Sequence, residues 1–62
     1  MIRHGDILEM RNGKAFEVLS GESDSLVKGK LSVIEVDEDN NRIGNPLDLE
    51  LTASTPIIDI IR

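Results

Sequence analysis

Asp6-Ile7-Leu8-Glu9-Met10-Arg11-Asn12-Gly13-Lys14-Ala15-Phe16-Glu17-Val18-Leu19-Ser20 reads as two short strands back to back. Apolar and polar residues alternate on both sides of Arg11-Asn12-Gly13, the period of a half-buried strand. A two-residue Asn-Gly turn would pair Met10 with Ala15 and Glu9 with Phe16, mixing acidic and apolar groups on each face. A three-residue loop, with Gly13 at positive φ closing a bulge, pairs Leu8 with Phe16 instead. Leu8, Met10, Phe16 and Val18 then share one face. A slip of one residue would scatter that set, so the bulged loop over strands at 6–10 and 14–20 is the expected form.

The same punctuation continues outward. Residues 21–29 form a loop in which Ser23 is placed to cap a single helical turn over 24–28, too short to stand as a helix alone. A third strand is predicted over 30–37. Its alternation fails at Val33-Ile34, which predicts a bulge or a strand covered on both faces. Residues 37–41 make a polar turn, and Gly44-Asn45-Pro46 reads as a second break. The fourth strand, 47–52, alternates cleanly, with Leu47, Leu49 and Leu51 inward. Pro56 opens a fifth strand over 57–62. Five short strands and no long helix predict an all-β chain, a small closed or partly open five-stranded barrel.

The chain has 62 residues, which bounds it to a single domain over 1–62. A chain this short buries little core, and it holds no cysteine for a disulfide or a thiolate metal site. Association is the remaining common source of buried area. Twelve acidic residues against seven basic ones give a net charge of −5, which repels phosphate backbones and anionic membrane surfaces. Phe16 is the single aromatic residue, so stacking platforms for single-stranded nucleic acid are missing. No apolar run approaches a membrane span, and Met1-Ile2-Arg3-His4-Gly5-Asp6 has no apolar leader character. The cytoplasm is the expected compartment.

The run Gly5-Asp6-Ile7-Leu8-Glu9, followed by Asn12-Gly13-Lys14-Ala15-Phe16-Glu17-Val18-Leu19, resembles the first hairpin of KOW-like small barrels. The nearest pattern is the N-terminal domain of elongation factor P. Lys28-Gly29-Lys30 falls where that family carries a Lys-Gly-rich loop, and Gly44 falls near the glycine of its last hairpin. The resemblance spans nearly the whole chain. It implies a KOW-like barrel and, with it, a nucleic-acid or ribosome-associated role.

No catalytic set can be assembled. His4 lies near Asp6, but no Gly-x-Ser-x-Gly elbow or helix fixes a nucleophile. The acid pairs Glu9 with Glu17 and Asp48 with Glu50 alternate outward as solubilising charges. Asp37, Asp39, Asn41, Ile43, Asn45 and Asp48 follow a calcium-loop spacing, but Arg42 stands where that loop turns on glycine and Asp48 where it ends on a bidentate glutamate. A solvated turn is the expected form, with no cofactor and no metal. Lys28 and Lys30 could seed a basic patch. The strongest anomaly is Ile57-Ile58-Asp59-Ile60-Ile61: with Ile58 and Ile60 inward, Ile57 and Ile61 point outward as interface residues or are covered by the 21–29 loop. The expected function is a non-enzymatic protein-interaction module or small subunit, binding a protein partner or a second copy through its C-terminal strand. A nucleic-acid-binding barrel of the KOW type is the alternative.

Overall fold

The computed structural model describes residues 2–21, 23 and 27–61. Five antiparallel strands form one sheet: β1 (Ile7–Met10), β2 (Ala15–Ser20), β3 (Gly29–Val36), β4 (Arg42–Leu51) and β5 (Ile57–Ile61), in the order β4-β3-β2-β1-β5. Four successive strands make a meander, and β5 returns to pair with β1. The strand count and the all-β class agree with the sequence reading. The sheet is open, because no ladder joins β4 to β5 among the described residues.

The first hairpin is closed by the three-residue loop. Leu8 lies opposite Phe16, and Gly13 has φ 88°. Met10 N–H donates to Lys14 O at 2.8 Å, and Gly13 N–H to Met10 O at 3.0 Å. The four residues assigned to one face do line the core side. Leu8, Met10 and Val18 are buried, while Phe16 is half-buried against them. Leu31, Val33 and Leu51 complete this core from β3 and β4. Ile2 joins it from outside the sheet. Its backbone bridges Ser23, with Ile2 N–H donating to Ser23 O at 2.8 Å. The Asp6 carboxylate accepts the Arg3 N–H at 2.9 Å and so ties down the turn that brings Ile2 inward.

Three register shifts shape the rest. In β2, Val18 faces Val33 and Ser20 faces Ser32, so Leu19 is the extra residue. In β4, Ile43 faces Glu35 and Leu47 faces Val33. Residues 44–46 therefore sit inside the strand as a bulge and do not break it. In β5, Asp59 faces Glu9 and Ile57 faces Met10, so Ile58 is extra. That single residue reverses the strand's parity. Ile57 and Ile60 consequently pack on the core, while Ile58 and Ile61 are 62% and 47% exposed. This corrects the outward assignment of Ile57 and the inward one of Ile58.

Burial along β4 also differs from expectation. Leu51 is buried and Leu49 half-buried, but Leu47 is 47% exposed although it faces Val33. An edge strand beside an open seam has no neighbour to cover its outer end. Leu49 and Phe16 are thus shoulders of the core, not its centre. The helical turn expected over 24–28 falls mostly on residues 24–26, outside the described residues. Ser23 itself does other work: its hydroxyl donates to Lys28 O at 2.6 Å.

Candidate functional site

The face of the sheet opposite the core carries the chemistry. Ladder partners share a face, so two rows can be read across it. One runs Arg42, Val36, Ala15, Glu9, Asp59; the other runs Ile34, Glu17, Ile7, Ile61. This explains Val33-Ile34. Val33 lies in the core, and Ile34, beside it in sequence, is buried on the opposite face, as is Val36. The strand is covered on both sides, and the β3–β4 register shift falls at the same place.

An ion pair helps to cover this second patch. Arg42 Nε donates to Glu17 Oε1 at 3.0 Å and Arg42 Nη2 to Glu17 Oε2 at 3.2 Å. Arg42 stands on β4 and Glu17 on β2, so the fork bridges over β3, where Ile34 and Val36 lie. The Arg42 hydrogen bond holds the Glu17 carboxyl below its ordinary range, and the same bond raises Arg42.

Toward the hairpin tips, this face forms an open groove of about 660 Å³. Ile7, Ala15, Val36 and Ile61 supply its aliphatic lining. Glu9, Asp37, Glu38 and Asp39 line it with carboxylates, against Lys14 as the one basic residue among those lining it. Asp37 is not a loose charge. Its Oδ1 accepts the N–H groups of Asn41 and Asp39, each at 2.9 Å, and the Asn41 bond leads in lowering its carboxyl below the ordinary range. Asn40 adopts φ 62° inside this turn. The residues that matched a calcium-loop spacing do not wrap one centre: Ile43, Asn45 and Asp48 lie along β4. No group of three or more potential metal ligands occurs among the described residues.

Lys28 and Lys30 are separated from Lys14. Lys28 immediately precedes β3 and Lys30 is its second residue, opposite Glu50. Lys14 lies at the other end of the sheet, roughly 20 Å away at the rise of a strand. Arg42 is engaged by Glu17. Of the two interface residues read from the sequence, Ile61 lies on the outer face opposite Ile7, and Ile57, half-buried, packs against the core. Sequence reasoning missed Ile58 as an exposed residue. It read Val33-Ile34 as a bulge or a strand covered on both faces, and the patch formed by Ile34 with Val36 is that second covering. His4 is exposed in a turn, and Asp6 serves that turn. No helix among the described residues is long and apolar enough to cross a membrane. Comparison with family models, curated proteins and solved structures finds no match to this chain.

Proposed function

We propose that this protein is a non-enzymatic interaction module or small subunit that engages another protein through the outer face of its sheet. The observation that carries the reading is the exposure of Ile61 and Ile58 at the β5 edge, beside an aliphatic lining ringed by carboxylates. Exposed apolar groups rimmed by polar ones are what protein contacts use. Self-association through β5 is one form of this reading, with Ile61 and Ile58 as contact residues. The finer fold reading that accompanies it is a small KOW-like barrel whose seam between β4 and β5 stays open.

The alternative, a nucleic-acid or ribosome-associated barrel, rests on Lys28 and Lys30. Their separation from Lys14 and the cross-strand position of Glu50 weigh against a continuous phosphate track.

The test is sedimentation equilibrium together with affinity capture from native lysate, for the parent and Ile61→Asp. A fold that melts as the parent does but has lost its association or its captured protein supports the module. Capture of nucleic acid that is lost in Lys28→Ala/Lys30→Ala, with Ile61→Asp neutral, would replace it with the alternative.

A further inference from the structure

We propose that the outer-face groove is a docking site for an extended segment of another protein in which cationic and aliphatic residues alternate. This names the partner chemistry for the interaction-module reading and rests on it. The outer face of the sheet has no element packed over it among the described residues. Ile7, Ala15, Val36 and Ile61 line it, and the tips of the two hairpins, at Gly13-Lys14 and at residues 37–40, border it. An apolar lining binds aliphatic side chains without regard to charge, so the border decides which segment enters. Glu38 and Asp39 stand at one tip and Glu9 along β1, and among the described lining residues Lys14 alone opposes them in charge.

That border selects between occupants. A second copy docked here through a two-fold axis would set Glu9, Asp59 and the acidic tip against their own counterparts, which like-charge repulsion disfavours. Nucleic acid would meet the same repulsion. A segment carrying lysine or arginine meets complementary charge. An extended segment also matches the site in period. Its successive side chains point to opposite sides, so aliphatic residues can meet the lining while cationic ones reach the carboxylates. About six residues in this form span ~20 Å.

The segment docks on the face and does not extend the sheet at β5. The Asp59 carboxylate accepts the Ile60 N–H at 2.8 Å, and the strand bulges at Ile58. Both features blunt an edge against strand addition.

The experiment titrates the whole protein with a blocked Lys-Leu-Lys-Leu-Lys-Leu peptide and follows amide shifts by NMR. Glu-Leu-Glu-Leu-Glu-Leu and Lys-Ser-Lys-Ser-Lys-Ser peptides serve as controls. The expected result is saturable binding of the Lys-Leu peptide alone, with the largest shifts at Ile7, Ala15, Val36 and Ile61. Glu38→Lys/Asp39→Lys, two exposed tip residues, should raise the Kd by about ten-fold or more, since each reversal removes an attraction and adds a repulsion. Equal binding of the Lys-Ser peptide, shifts centred on Asp48 and Glu50, or indifference to the charge reversal would overturn the proposal. So would absence of binding. If Ile61→Asp still abolishes association or capture while the Lys-Leu peptide fails, the interaction-module reading stands and only this partner assignment falls.

Discussion

The two hairpins end side by side at one end of the sheet but hold their register by different means. In the β1–β2 hairpin, three loop residues and Gly13 at φ 88° carry the register straight into the strands, and the pairing runs unbroken from Glu9–Ala15 to Ile7–Glu17. In the β3–β4 hairpin, the turn is held by the Asp37 side chain, and the register is reset at residues 44–46 before Leu47 reaches Val33. Three residues, 44–46, stand opposite Ile34 alone, and without that surplus of two Asn45 would take the place of Leu47. A short glycine-closed loop thus transmits register through the backbone, whereas a longer turn leaves it to be corrected where the apolar residues meet.

The largest effect that could break this comparison is in the cores of the two hairpins. Leu8 is fully buried and Leu47 is half-exposed, though both are core-side leucines. Leu8→Ala should cost about 2–5 kcal/mol, enough to unfold most of so small a domain, and Leu47→Ala about 1 kcal/mol or less. Denaturant unfolding of both variants measures this. Equal losses would mean that the β4 end is packed as tightly as the β1–β2 end.

The second effect compares two glycines. Gly13 and Gly21 have φ of 88° and 90°, but a Cβ on Gly13 meets nothing within 4 Å, while one on Gly21 stands 2.7 Å from Lys30 O. Gly13→Ala should cost the left-handed backbone strain alone, about 1 kcal/mol. Gly21→Ala adds a backbone clash, so its melting temperature should fall further. If the order reverses, the β2–β3 connection is not anchored by this close approach.

The smallest effect is a pH dependence. Glu17 and Asp37 both titrate below their ordinary values of 4.5 and 3.8 in the folded chain. A carboxyl lowered on folding contributes stability that is fully present above its unfolded value and is lost as pH falls through the folded one. Stability should therefore decline below about pH 4.5. Asp37→Asn should shallow that decline while leaving the β1–β2 register unchanged. Melting temperatures across the acid range measure it, and an Asp37→Asn profile identical to the parent's would remove the side chain's role in the second turn.

Much of this was legible in the chain itself. The Leu8–Phe16 pairing followed from a period of two, from Gly13, and from the rule that one slip exchanges the faces. Leu47, Leu49 and Leu51 kept their side because the β4 insertion contributes an even number of residues. Ile57 changed sides because the β5 insertion contributes one. Alternation within a strand records its own two faces but not where a neighbouring ladder slips, so only the paired strands decide which isoleucines face out. Ile2 was invisible for a related reason, since an isolated apolar residue has no period and becomes core only when its backbone meets Ser23. The carboxylates were present in the sequence as charges. Their collection around an aliphatic lining is the work of the tertiary structure, which places the tips of two hairpins, more than twenty residues apart in the chain, at one end of one sheet.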